Sequence, residues 1–138
     1  MNPALTEIID GLEPLERVRW DALAEGSVQF QRCKACANAW LPAREDCPAC
    51  LASEWEWEKA SGKATLNSWV VYNRAFSAAF KDQVPYAIAL VQLEEGPSMI
   101  TRMQAVVEGA TPACGDPVVV STVEVDGMRI ADARPVGD

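Results

Sequence analysis

The chain has no histidine. That removes Ser–His, Cys–His and metal–His constellations, and with them the commonest general acid and base at neutral pH. Carboxylates, lysine or cysteine remain able to do chemistry, but none stands at a spacing that marks a catalytic pair, so the balance moves toward binding or scaffolding. Positive charge is scarce too: 12 Lys and Arg against 20 Asp and Glu leave a formal net charge of −8. Phosphate binding draws its affinity from cations that release counterions, so nucleic acid is disfavoured as a general partner. No apolar stretch approaches the length of a membrane span, and Met1–Glu7 has no basic run followed by an apolar one. The expectation is a soluble, cytoplasmic protein without membrane partners. Internal repeats and low-complexity tracts are also missing.

What is present is cysteine in a telling pattern. Cys33-Lys34-Ala35-Cys36 and Cys47-Pro48-Ala49-Cys50 are two CxxC pairs with ten residues between them. Two such knuckles let four thiolates converge tetrahedrally on one structural zinc, whereas a catalytic zinc keeps an open position. Iron in a rubredoxin-like site is the lesser alternative, because thiolates suit both metals. Disulfides are disfavoured by the expected compartment. The fifth cysteine, Cys114, has no partner in sequence and no neighbouring cation to lower its pKa, and reads as an inert thiol.

With 138 residues, 49% of them hydrophobic, the chain can bury one ordinary core plus a small module stapled by metal. Apolar positions from Leu12 to Glu25 recur at helical spacing (Leu12, Leu15, Val18 or Arg19, Ala22, Leu23), with Pro14 in the first turn and Gly26 where a C-terminal cap falls. Trp20 on this helix reads as a core or interface anchor. Val28–Arg32 alternates like a half-buried strand, and Ala39–Pro42 leads out of the first knuckle with Pro42 suited to an edge. Glu54-Trp55-Glu56-Trp57-Glu58 is a strand with one aromatic and one acidic face, the tryptophans supplying the module's core and the acids a solvated face. A turn at Ser61-Gly62-Lys63 divides a helical segment (1–27) and a zinc ribbon (28–60) from a second unit (61–138). Strand-like runs follow at Ala64–Tyr72, Tyr86–Leu93, Ser98–Met103, Pro117–Val125 and Met128–Ala133, with Asp126-Gly127 as a hairpin turn. The fold class is therefore mainly β: N-terminal helix, rubredoxin-like zinc ribbon, then a five-stranded OB-fold barrel.

The order of Gly26, Gln31-Arg32-Cys33-Lys34-Ala35-Cys36, Leu41-Pro42-Ala43-Arg44, Cys47-Pro48-Ala49-Cys50, Ser61-Gly62-Lys63-Ala64 and Val84-Pro85-Tyr86-Ala87 resembles the bacterial and archaeal family of zinc-ribbon plus OB-fold proteins associated with acyl-CoA metabolism. The resemblance runs from about Leu15 to Pro135. It implies an accessory subunit of a hetero-oligomer, with the catalytic nucleophile in a thiolase-like, aldolase or acyltransferase partner. Steroid side-chain retro-aldol cleavage is one reaction of that class. One departure stands out: glycine commonly follows each knuckle in the family, and Ala37 and Leu51 stand there instead. Asn38 is then a candidate for the left-handed position.

Between the first two barrel strands, Asn73–Val84 carries Phe76 and Phe80 with Arg74 and Lys81. With Tyr86 and Trp20, these are candidate contacts to an acyl-CoA or a partner surface, the aromatics meeting apolar groups and the cations phosphates. The bland reading is that Phe76 and Phe80, four apart, cap the barrel. Arg102 reads by default as an exposed strand arginine. Two other classes remain, a nucleic-acid-binding OB module and an iron electron carrier. The first is opposed by six cations against nine acids from Ser61 onward. The second would be coloured, because an iron tetrathiolate absorbs visible light.

Overall fold

The computed structural model describes Glu7 and residues 10–74, 84–125 and 127–136. Helix α1 (Pro14–Ala24) begins on an extended Glu13, with Pro14 in the first turn, where its missing N–H leaves nothing unpaired. It ends in a Schellman motif: Gly26 takes φ 86°, its N–H meets the Leu23 carbonyl, and Ser27 N–H meets that of Ala22 at 2.9 Å. Ala22 and Leu23 are buried. Val18 is exposed and Arg19 is half-buried in an ion pair with Glu16, so Arg19 holds the inward position of that turn. The helix packs against both β1 (Gln29–Cys33) and β8 (Met128–Pro135), and so ties the two sheets together.

The first sheet is antiparallel, with β1 between β2 (Ala39–Trp40) and β3 (Trp55–Lys59). Val28 and Phe30 point into the main core, and full burial of a phenylalanine such as Phe30 is worth roughly 1.5–3 kcal/mol. Strict alternation would expose Gln31; it is instead completely buried. Its Nε2 donates to the Arg44 carbonyl and its Oε1 accepts the Arg44 N–H, each at 2.8 Å, so the amide acts as one peptide unit of a missing strand. Glu58 departs from the solvated face, being half-buried and paired with Arg32.

Five strands close the barrel: β4 (Lys63–Tyr72), β5 (Tyr86–Leu93), β6 (Ser98–Arg102), β7 (Pro117–Val125) and β8, in the order β4-β5-β6-β8-β7. A bulge between Leu66 and Ser68 switches the inward parity of β4 from Ala64 and Leu66 to Trp69 and Val71. Closure requires Gly62, at φ 94°: a Cβ there would lie 2.7 Å from the Val120 carbonyl oxygen, and Val120 N–H bonds back to the Gly62 carbonyl at 2.7 Å. On the far side, β6 and β8 share one parallel register pair, Arg102 with Asp132. A single helical turn, α2 (Gln104–Val107), covers this seam while Met103 and Val106 fill the barrel beneath it. Four residues are too few for a helical period to show in sequence. The expected hairpin between β7 and β8 pairs Val125 with Met128, leaving a two-residue connection; Asp126 itself lies outside the described residues. Among the described residues no helix is long and apolar enough to cross a membrane.

Candidate metal centre

Cys33 ends β1, Cys36 follows in the turn toward β2, and Cys47 and Cys50 form the second knuckle before β3. All four sulfurs lie within 4.8 Å of one another and none is bonded to another. The Cys33–Cys50 and Cys36–Cys47 sulfurs are each 3.6 Å apart. Tetrahedral thiolates on one metal at about 2.3 Å stand about 3.8 Å apart, so the cluster fits a single ion.

The donor chemistry fits as well. Cys33 Sγ accepts the N–H groups of Ala35 and Cys36 at 3.3 and 3.4 Å. Cys47 Sγ accepts those of Ala49 and Cys50 at 3.4 and 3.5 Å, with the Asn38 side-chain amide at 3.8 Å. These dipoles favour thiolate over thiol. At Cys47 burial pushes the thiol up, but the Cys50 and Ala49 N–H groups and the neighbouring thiols outweigh it and bring the pKa to about 6. Cys33 is lowered too, chiefly by the Cys36 N–H. The Ala52 N–H pulls Cys50 down, yet its side-chain hydrogen bonds with Cys36 and Cys33, together with burial, raise it to about 12. In Cys36 an N–H from Asn38 is likewise outweighed, by burial and by Cys47 and Cys33. Each knuckle thus pairs one buried cysteine whose thiolate form is favoured with one exposed cysteine whose thiol form is favoured until a cation arrives.

Each knuckle closes on a residue of positive φ, and those residues are Ala37 and Leu51, both at 66°. Asn38 does not take that position. The turns place Ala37 N–H on the Cys33 carbonyl and Leu51 N–H on that of Cys47. Left-handed backbone at a residue with Cβ costs roughly 1–2 kcal/mol, and here it is offset by the thiolate hydrogen bonds that the turn creates.

Behind the sulfurs, Trp40 is buried with Cys33 and Cys47, and Trp55 meets it edge-on at 6.3 Å. Trp57 stands edge-on to Trp55 at 5.6 Å. Trp40, rather than the acid-flanked pair, is the buried centre of this satellite core. Of the other candidate residues, Trp20 packs half-buried against the main core. Arg74 is exposed just beyond β4, and Tyr86 opens β5 stacked on Tyr72 at 5.2 Å, so both lie at one end of the barrel. Phe76, Phe80 and Lys81 lie outside the described residues. Cys114 is an exposed free thiol. Arg102 is half-buried, lining a cleft with Arg134 and Asp132 that strand periodicity did not reveal.

A tetrathiolate ribbon joined by a helix to a five-stranded barrel defines a class, and comparison with known proteins places the chain within it. Residues 20–56 match the family model of the ChsH2 rubredoxin-like zinc ribbon domain and residues 57–123 that of the ChsH2 C-terminal OB-fold domain. The chain belongs to this zinc-ribbon plus OB-fold family. A probable enoyl-CoA hydratase alpha subunit of Thermomonospora curvata is 30% identical over 107 residues, which are 78% of this chain and 33% of that protein. A DUF35 domain-containing scaffold protein of Methanocaldococcus jannaschii is 42% identical over 66 residues, 47% of this chain and 46% of the relative. The chain thus spans a third to about half the length of these curated relatives. Among solved structures, one described as an Ltp2-ChsH2(DUF35) aldolase superposes with a TM-score of 0.75 at 27% identity, covering 92% of this chain and 98% of that one. A DUF35-family protein of Sulfolobus solfataricus shares the fold, with a TM-score of 0.57 at 14% identity.

Proposed function

We propose that this chain is a non-catalytic accessory subunit that binds and organises a thiolase-superfamily partner (lipid-transfer-like thiolase, aldolase or acyltransferase) acting on acyl-CoA substrates, steroid side-chain retro-aldol cleavage being one reaction of that class. The observation that carries this reading is the near end-to-end correspondence with a chain from a structure described as an Ltp2-ChsH2(DUF35) aldolase. The likeness to a hydratase subunit and to scaffold proteins supports it. So does the chemistry: a histidine-free chain whose metal-binding cysteines fill all four positions of a tetrahedral ion has no open coordination site for substrate. The bound ion is zinc, held by Cys33, Cys36, Cys47 and Cys50, and it supplies structure rather than reaction. Arg74, Phe76, Phe80, Lys81, Tyr86 and Trp20 are the residues proposed to meet the partner or its acyl-CoA.

The test is co-expression with thiolase-like proteins of the same genome. The expected result is a stable hetero-oligomer in which acyl-CoA aldolase or thiolase activity needs both chains. A monomer that leaves every such enzyme unchanged, or that turns over an acyl-CoA unaided, overturns the reading.

A further inference from the structure

The single register pair between β6 and β8 makes this the most sparsely paired seam of the closed barrel, and a cleft of about 520 Å³ lies beside it. That is the size of a small-molecule site. Its polar lining is Arg102, Gln104, Asp132, Arg134 and the exposed Glu108, set among small or apolar side chains.

Three contacts order the cationic wall. Asp132, with 2% of its surface exposed, accepts the backbone N–H of Gln104 on Oδ1 at 3.1 Å, pinning β8 to the start of α2. Gln104 then holds Arg102, whose Nη2 donates to Oε1 at 2.7 Å. The acceptor is neutral, so the contact orients the guanidinium without cancelling its charge. Among the described residues Arg102 has no carboxylate partner, although acids outnumber cations in the chain by 20 to 12. Arg134 approaches Asp132 Oδ2 only to 3.6 Å, beyond hydrogen-bond range, and its side chain is 66% exposed. Both planar forks therefore keep donors free toward the cleft.

We propose that this cleft binds the phosphate group of a small phosphate ester, with Arg102 and Arg134 as its two donors and Asp132 and Gln104 as positioning residues. Phosphate suits the site because its oxygens can serve two guanidinium groups arriving from different strands, each bond being charge-assisted. Glu108 and Asp132, both in the lining, bring the local charge close to neutral, so binding is selective for a single phosphate group over polyphosphate and weakens as salt rises.

The experiment is a titration of the full metal-loaded chain with phenyl phosphate at low salt, read by ¹H–¹⁵N correlation spectra that include arginine Nε–H signals. Saturable shifts are expected at Arg102, Arg134 and Gln104, and benzyl alcohol should cause none of them. Arg102→Gln should weaken binding about tenfold or more, the loss of one charge-assisted pair. Gln104→Glu should do the same while keeping Arg102 in place, because it supplies the missing counter-charge internally; signal dispersion reports that each variant is folded. Unsaturable shifts in the parent, or parent-like binding in either folded variant, overturns the assignment.

Discussion

Arg32 Nη1 donates to the carbonyl of Ala37 at 3.0 Å, so the residue of positive φ that closes the first knuckle is braced by a side chain from β1. The same guanidinium pairs through Nε with Glu58 on β3 and lies over the Phe30 ring at 5.3 Å. One arginine thus joins the strained turn, the third ribbon strand and the main core. The strain is retained because several contacts over-determine it.

That relationship predicts that relieving the strain stabilises the metal-loaded protein. Ala37→Gly removes the Cβ penalty and keeps the Arg32 contact, for a net gain of roughly 0.5–1 kcal/mol after glycine's added unfolded-state entropy. Leu51→Gly should gain a similar amount, because its side chain is 77% exposed and forfeits little packing. Denaturant midpoints of the single and double variants check this, and the two gains should add across separate knuckles. Ala37→Val should move the midpoint the other way, since a branched side chain tolerates this backbone least.

Replacing Gln31 by leucine keeps volume and burial but strands the Arg44 N–H and carbonyl that its amide now satisfies. The expected loss is roughly 2–4 kcal/mol, two backbone groups left without partners. Gln31→Glu should also destabilise, because a carboxylate has no donor for the carbonyl, and burial imposes instead the cost of holding the acid's proton at neutral pH. Equilibrium unfolding of the metal-loaded variants measures both; a neutral Gln31→Leu would mean that water replaces the amide.

Most of the architecture was legible before the structure, for physical reasons that differ along the chain. The CxxC spacing gave the four ligands because thiolate geometry tolerates few alternatives, and Pro14 and Gly26 marked the ends of α1 because each has one favoured place in a helix. The barrel strands could be read from turn chemistry, since Gly and Asp-Gly punctuate them. Alternation along Val28–Arg32 assigns Gln31 to water because it assumes that polar side chains face solvent, and a backbone partner 13 residues away cannot be seen in a local pattern. Trp55 and Trp57 announce themselves by alternation, whereas Trp40, the one enclosed by cysteines, sits in a strand of two residues too short to show a period. The Arg102–Arg134 cleft needed tertiary information too, because a parallel pairing of β6 with β8 brings together residues that lie 30 positions apart.

Metal removal should act unevenly. The satellite core around Cys33, Cys47 and Trp40 has few other contacts, while the barrel holds its own closed sheet. A strong chelator, or Cys47→Ser, should abolish amide protection in Ala39–Trp40 and Trp55–Lys59 and leave β4 and β5 protected. Elemental analysis should give one zinc per parent chain and none after chelation, and hydrogen exchange followed by NMR maps the loss. Collapse of protection throughout the barrel would show instead that Val28 and Phe30, which reach from the ribbon into the main core, make metal binding and barrel folding a single transition.

Gly62 offers the sharpest test of how the barrel closes. An alanine there meets two independent penalties, a left-handed backbone at φ 94° and a Cβ 2.7 Å from the Val120 carbonyl oxygen. The clash is with backbone, not with the end of a flexible side chain, so β7 must shift and the 2.7 Å bond from Val120 N–H to the Gly62 carbonyl lengthens with it. Together these should cost roughly 2–4 kcal/mol, beyond the range of ordinary surface changes. Gly115 provides the control: its φ of 96° nearly matches, but nothing lies within 4 Å of the Cβ that alanine would add. Gly115→Ala should therefore show the backbone penalty alone. Thermal unfolding of the two variants separates the contributions, and the excess loss in Gly62→Ala measures how closely β7 approaches the start of β4. Equal losses would mean that this end of the barrel yields without resistance.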